Sequence, residues 1–366
     1  MATMSSSIND DMASQNPEHV NFVAQNLIMK VNISMALNAV LKLGIPDILA
    51  KAEGGKPLSA EEILRQLPTK STPGLTSVRN LQRLLSPLVR EGLFSESVDG
   101  NEQPMYSLTE VSKWFIRESQ LSIAPVADMA FNPKRASTWQ YLHEVILDDT
   151  TTASVKAHGV HPYEYNKDPG YVSLIQNAME ANSKMFFKGA LESLLQSSAL
   201  DGVGTLVDVG GGWGHVVAQI VANNPHIYGI NFDLPFVIDK APAVNGVKHV
   251  AGSFFESVPS GDAMFLKWII HNYADEEAIH ILKHCFKALP AKNGKVILAE
   301  FLKDKHDKSS QATFVDCFDL NMMASLKGAR ERSKEEYQAL LTAAGFPRSK
   351  LIYTPGSVTL IEGFKE

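Results

Sequence analysis

Short apolar, β-branched runs recur through the C-terminal part of the chain, at 205–209, 228–233, 247–251, 263–269, 295–301, 350–354 and 357–364. Between the earlier runs apolar positions repeat at helical spacing, as in Asp275-Glu-Glu-Ala-Ile-His-Ile-Leu-Lys-His-Cys-Phe-Lys-Ala-Leu289. This alternation predicts an α/β fold: a doubly wound, mostly parallel sheet of seven strands with helices on both faces. Pro355-Gly356 joins the last two runs tightly, so the final strand is expected to return antiparallel. That ending is unlike a dinucleotide-binding sheet.

The N-terminal part reads differently. Residues 20–43 form a helical pattern with Phe22, Leu27, Ile28, Val31, Met35, Leu37, Val40 and Leu41 on more than one face. Such a helix needs burial on two sides, supplied by a subunit partner or by its own domain. The homodimer is the favoured reading. Ser59 and Glu62 make a capping box, and a further helix runs from about Ser77 to Glu91, ending at Gly92. Leu93-Phe94-Ser-Glu and Met105-Tyr106-Ser107-Leu108 read as a hairpin around Asp99-Gly100. Helices followed by a small hairpin describe a winged helix. From about 113 to 196 the pattern is helical, with breaks near Asn132-Pro133 and Asp168-Pro169-Gly170. The division expected is 1–120 for a winged-helix-like dimerisation domain and 121–366 for a catalytic domain, with a helical pocket segment at about 121–196.

The bulk numbers narrow this picture. With 366 residues, two domains are natural, and 45% apolar with 20% charged residues is ordinary for a soluble globular chain. A net charge of −6 gives no footprint for nucleic acid, so the wing reads as an assembly scaffold rather than a DNA reader. Cys285 and Cys317 make neither a disulfide framework nor a zinc spacing, which points to a reducing compartment. The N-terminus has no apolar h-region, and its Asp10-Asp11 pair argues against a transit peptide. Lys30, Asn32, Asn38 and Lys42 interrupt the longest apolar stretch, so no membrane span is expected. A cytoplasmic protein is the expectation.

The chemistry centres on Thr205-Leu-Val-Asp-Val-Gly-Gly-Gly-Trp-Gly214, a buried-looking strand that breaks into a glycine turn before a helix. Ile230-Asn-Phe-Asp233-Leu supplies a carboxylate at the end of the next strand. Glycines let backbone approach a ligand closely, and the acid suits sugar hydroxyls. His215 stands where the third glycine of G-x-G-x-x-G would be, and no G-x-x-x-x-G-K-[ST] occurs. A G-x-G-x-G turn with a distal acid suits a cofactor with a ribose but no phosphate, which is S-adenosylmethionine.

In open α/β sheets ligands lie beyond the carboxyl ends of the strands. Three titratable residues fall there: His271, Glu300 and Glu331. A histidine oriented by two carboxylates is the arrangement of a general base, suited to removing a phenol's proton as a methyl group arrives. This chemistry needs no metal. His280 and His284 are spaced i, i+4, but Ile281 stands where an H-E-x-x-H site needs glutamate, so they read as a helix flank. Met179, Met185, Met322 and Met323 fit either core packing or the walls of a pocket for a flat aromatic.

Taken together, Tyr106-Ser-Leu-Thr109, Leu206-Val-Asp-Val-Gly-Gly-Gly212, Asn231-Phe-Asp-Leu-Pro235, Gly246-Val-Lys-His-Val250, Leu266-Lys-Trp-Ile-Ile-His271, Ala288-Leu-Pro290, Gly294-Lys-Val-Ile297 and Glu331-Arg-Ser333 resemble the plant S-adenosylmethionine-dependent small-molecule O-methyltransferases. These are the caffeic acid, flavonoid and alkaloid group, and the resemblance spans nearly the whole chain. It implies a Rossmann-like class I methyltransferase sheet and a homodimer whose N-terminal domain swaps into the partner's substrate pocket. Motif by motif, it implies cofactor contacts at Asp208, Gly210, Asp233, Leu234 and Lys267, with Ser253, Phe254 and Tyr273 beside them. It implies His271 as base between Glu300 and Glu331, and Met179, Trp268, Asn272, Met322 and Leu326 around a small aromatic hydroxylated acceptor.

Five positions depart from the family pattern. Trp213 stands where a small or hydroxyl residue is common, and Ser253 replaces the adenine-side acid. Asn272-Tyr273 replaces Asp-Trp, and Leu326 replaces a polar residue. The same fold doing N-methylation, or a non-methylating cyclisation or elimination, is therefore the alternative reading.

Overall fold

The computed structural model describes residues 16–68, 74–165 and 168–366, in two compact units, one ending at Ala124 and the other starting at Pro125. In the first unit the Asn16 side chain accepts the Glu18 N–H and starts a helix over Pro17–Lys42. Proline at the first helical position costs nothing, because that N–H has no intrahelical partner. Of this helix only Ala36, Val40 and Leu41 are buried, and they join Ile45, Ile63, Leu85, Phe94 and Tyr106 in one core. Phe22, Leu27, Ile28, Val31 and Met35 remain exposed on the single chain. The Ser59 box caps a helix over Ala60–Gln66, and the next helix spans Leu75–Arg90.

The expected hairpin is β2 (Phe94–Val98) and β3 (Pro104–Leu108). A short β1 (Leu58–Ser59) pairs antiparallel with the other side of β3, completing a three-stranded sheet. Two residues are too few to show alternation, so β1 leaves no trace in the sequence pattern.

In the second unit the breaks at Asn132 and Asp168 are N-caps, each accepting a backbone N–H two residues on. Asp168 starts the 28-residue helix Pro169–Gln196. The sheet comprises β4 (Thr205–Val209), β5 (Tyr228–Asp233), β6 (Val247–Ala251), β7 (Ala263–Lys267), β8 (Lys295–Phe301), β9 (Arg348–Ile352) and β10 (Val358–Phe364), in the order β6-β5-β4-β7-β8-β10-β9. Only β10 runs against its neighbours, antiparallel to both β8 and β9.

Side chains alternate between two cores. On β8, Ile297, Ala299 and Phe301 pack with Val217 and Ile220, while Val296 and Leu298 pack with Ile281 and Leu341 on the other face. Full burial on both faces is why these strands read as continuous apolar runs.

β7 ends two residues earlier than its apolar run. Trp268 takes a left-handed backbone conformation, φ 54°, which breaks the strand and turns the chain into a 3-10 segment over Ile270–Asn272. Among the described residues no helix is long and apolar enough to cross a membrane.

Candidate active site

The sheet order turns at β4, with β5 and β6 on one side and β7 and β8 on the other. The carboxyl ends of β4 and β7 therefore face a crevice, the usual ligand position in such sheets. The glycine turn after β4 is tied to the end of β5. Asp233 accepts the Gly212 N–H at 2.8 Å through one oxygen and the Leu234 N–H at 2.7 Å through the other. Each oxygen keeps a second lone pair for a ligand hydroxyl. Burial raises the Asp233 pKa, and these two backbone bonds oppose that rise.

The close packing explains the run of glycines. A Cβ on Gly211 would lie 2.2 Å from Asn231 Oδ1 and 2.7 Å from the Asp208 carboxyl carbon. Asp208 is 2% exposed, and burial pushes its carboxyl up to about 7 against the pull of Lys267. Its Oδ2 has no hydrogen-bond partner, nor has Asn231 Oδ1. Lys267, at the end of β7, lies with Nζ 3.9 Å from the centre of the Trp268 ring. Burial draws its pKa down to about 8, opposed by Asp208 and Glu300.

The segment after β7 carries His271. Its Nδ1 lies 2.6 Å from Glu331 Oε1 and 3.9 Å from Glu300 Oε2. The sequence treats the two acids alike, but they hold the histidine differently. Glu331 bonds the ring, whereas Glu300 Oε1 accepts the Ile270 N–H at 3.0 Å and so grips the backbone just before it. With Nδ1 facing a carboxylate, the imidazole proton belongs on Nδ1 and the lone pair on Nε2. Burial disfavours a charged His271, but the two carboxylates outweigh it and raise the pKa above 6.5. Burial lifts Glu300 to about 7. One oxygen of each glutamate, Oε2, is buried without a partner.

Two cavities flank this segment. One, of about 450 Å³, is lined by Asp208, Gly210, Asp233, Leu234, Ser253, Phe254, Lys267 and Tyr273, the residues expected at a cofactor, and also by Met179, Trp268 and Asn272. The other, about 900 Å³, is lined by Asn272, Tyr273, Asp319, Met323 and Leu326 among others. Phe255, Asn272 and Tyr273 belong to both and form the partition. Met322 is buried and lines neither cavity. The His271 ring is 3% exposed and stacks on Phe318, 6.1 Å between centres.

Several lining residues carry no sequence signal of a site. Gln176, Glu180 and Ser183 reach the smaller cavity from the long helix, and Phe236 and Val237 reach it from the turn after β5. Their side chains become site residues only because of where the helix and turn pack. Arg332 lines neither cavity but carries no such signal either: it is fully buried beside Glu331 and bonded to the His271 segment. The motif Glu331-Arg-Ser333 was its only trace. His280 hydrogen-bonds the Phe255 carbonyl oxygen at 3.0 Å from an exposed helix face.

The profile of an O-methyltransferase domain matches residues 139–347, and that of an O-methyltransferase dimerisation domain matches residues 25–118. The chain is 37% identical to (R,S)-reticuline 7-O-methyltransferase of Papaver somniferum, over 91% of this chain and 94% of that one. It is 36% identical to caffeic acid 3-O-methyltransferase of Prunus dulcis, over 95% of each. The fold matches human N-acetylserotonin methyltransferase solved with S-adenosylmethionine, with a TM-score of 0.80, 20% identity, and coverage of 96% of this chain and 99% of that one.

Proposed function

This chain belongs to the S-adenosylmethionine-dependent O-methyltransferase family, and we propose that it methylates a phenolic hydroxyl of a plant specialised metabolite with His271 as general base. The observation that carries the assignment of the base is the 2.6 Å contact between His271 Nδ1 and Glu331 Oε1. The acceptor class is supported by the relatives, whose names specify reticuline, caffeic acid and desmethylxanthohumol.

The smaller cavity fits S-adenosylmethionine. It has an aromatic end with Phe236, Phe254 and Phe255, and a polar end with Asp208, Glu180 and Lys267. The unpartnered Asp208 Oδ2 suits a cationic ligand, and the remaining lone pairs of Asp233 suit ribose hydroxyls. Asp208, Gly210, Asp233, Leu234, Ser253, Phe254, Lys267 and Tyr273 are the residues read as holding it. When bound, this group supplies a methyl already activated on a sulfonium.

The chain's task is then the acceptor. A phenol with pKa about 10 is only roughly 0.3% ionised at pH 7.5, a deficit of about 3.4 kcal/mol. His271 takes the hydroxyl proton at Nε2, while Glu331 holds Nδ1–H and stabilises the imidazolium. A positioned base of this kind contributes on the order of 10²–10⁴-fold. Glu300 holds the backbone at Ile270, so the ring stays aimed. Met179, Trp268, Asn272, Met322 and Leu326 are read as the acceptor's neighbours, with Asn272 on the partition between the cavities. Met322 acts through packing, since it lines neither one.

Residues 1–120 are read as a winged-helix scaffold for a homodimer, and 121–366 as the catalytic part. The exposed Phe22, Leu27, Ile28 and Val31 support the dimer, because leaving them in water forfeits roughly 25 cal/mol per Å². Cys285 and Cys317 are both free, in keeping with a reducing, cytoplasmic setting.

Transfer of labelled methyl from S-adenosylmethionine to a mixed panel of plant phenols, phenolic alkaloids and amines tests this reading. A labelled methyl ether, lost with His271→Ala, is the expected result. Label appearing only on amines would overturn the assignment of oxygen as acceptor. A methyl ether still formed by His271→Ala would overturn the base.

A further inference from the structure

The polar end of the smaller cavity raises a question of donors. An S-adenosylmethionine molecule ends in an amino acid, one ammonium and one carboxylate. Aromatic Phe236, Phe254 and Phe255 suit the base at the far end, beside β5 and β6. The amino-acid tail therefore belongs at the other end, between the glycine turn and the long helix over Pro169–Gln196. Acceptors for an ammonium are present there in Asp208 and Glu180.

A glycine turn ordinarily offers its own N–H groups to an anion. Here the chain consumes the N–H groups of all four glycines. Gly210 N and Gly211 N both donate to the Phe232 carbonyl, at 2.8 and 3.4 Å, and Gly214 N donates to the Gly211 carbonyl at 2.9 Å. Gly212 N donates to Asp233. His215 pairs with Glu180 at 3.1 Å, and Lys267 lies against the Trp268 ring.

Two indole donors that line this cavity are left without a hydrogen-bond partner, those of Trp213 and Trp268, and Trp213 is the one that stands in the glycine turn. Trp213 lines this cavity, and its indole Nε1–H is buried without a hydrogen-bond partner. An indole nitrogen can only donate, and a buried donor left unpaired carries the full cost of its lost hydration. We propose that Trp213 binds the cofactor, its indole N–H donating to the carboxylate of the amino-acid tail. The tryptophan that departs from the family pattern thus does the work that the occupied backbone amides cannot. This inference rests on the smaller cavity being the cofactor site.

The test is calorimetric binding of two ligands to the full-length protein. S-adenosylhomocysteine carries the amino-acid tail and 5′-methylthioadenosine does not. Trp213→Phe keeps an apolar ring and removes the donor. It is expected to weaken S-adenosylhomocysteine roughly tenfold or more, as for a hydrogen bond to a charged group, and to leave 5′-methylthioadenosine within about twofold. Asp233→Asn is the companion variant and is expected to weaken both ligands. If it weakens neither, the cavity is not the cofactor site, and the proposal falls with that reading. If Asp233→Asn weakens both while Trp213→Phe weakens neither, or both equally, only the proposal falls.

Should Trp213→Phe fail to fold, the unaltered protein decides. With the four tryptophans labelled with ¹⁵N and the Trp268 signal identified by its loss in Trp268→Phe, one other indole N–H resonance is expected to move with S-adenosylhomocysteine and not with 5′-methylthioadenosine. No such resonance overturns the assignment.

Discussion

The guanidinium of Arg332, fully buried, donates from Nη1 to the carbonyl oxygen of Ile270 at 2.9 Å. Its Nη2 reaches the Tyr273 carbonyl at 2.6 Å and Asp275 at 2.7 Å, so one side chain clamps the backbone on both sides of His271. The neighbouring Arg330 N–H donates to the His271 carbonyl itself at 2.9 Å. Asp319 completes the frame by accepting the Glu331 N–H at 2.8 Å. His271 and Glu331 are thus held by opposite ends of a single hydrogen-bonded strap.

Arg332→Lys keeps a charge but cannot span both carbonyls. The expected outcome is a fall in kcat of about tenfold with little change in affinity for S-adenosylhomocysteine. Arg332→Met leaves the Ile270 and Tyr273 carbonyls without their donor and is expected to cost about 1–3 kcal/mol of stability. Steady-state kinetics and denaturant unfolding separate the two effects.

His271→Ala is expected to lower kcat by on the order of 10²–10⁴-fold. The affinity for S-adenosylhomocysteine should stay within about threefold, because His271 lines neither cavity. Parallel turnover and calorimetry measure both, and retained turnover would remove the base from the mechanism.

The pH profile follows from the acids around His271. The base works only when neutral, and its pKa is raised above 6.5, so kcat/KM should climb with pH and level off above that value. Glu331→Gln removes the carboxylate bonded to the ring and should move this acid limb to lower pH, with kcat reduced. Since Glu300 is lifted to about 7 in the same cluster, the limb belongs to the group as a whole. A limb that does not move in Glu331→Gln would dissociate the profile from this pair.

Gly211→Ala places a methyl 2.2 Å from Asn231 Oδ1 and 2.7 Å from the Asp208 carboxyl carbon, both of them packed into the core. Something must move, and the turn is the softest part. The expected result is roughly 1–3 kcal/mol of lost stability together with weakened S-adenosylhomocysteine binding. Melting temperature and calorimetry test this; a variant that binds and melts like the parent would show that the turn accommodates the methyl.

The sequence by itself determined the elements and pointed to Asp208, Gly210, Asp233, Leu234, Ser253, Phe254, Lys267 and Tyr273, which line the smaller cavity. Strands buried on both faces must be largely apolar, so β4, β7 and β8 stand out as runs, and a turn this crowded admits only glycine beside Asp208. Ser59 announced a helix start because capping is a local bond between neighbours. The tertiary structure decided what depends on distant partners. That Glu331 bonds the imidazole while Glu300 grips the backbone could not be read from either motif, since the pairings span 60 and 30 positions. Arg332 looks like a surface residue in the sequence and is a core residue in the fold, because Asp275 and two carbonyls supply the partners that make burying a charge tolerable. Trp213 reads as an oddity in a glycine turn. Only the packing of that turn shows its N–H buried and the neighbouring amides already spent.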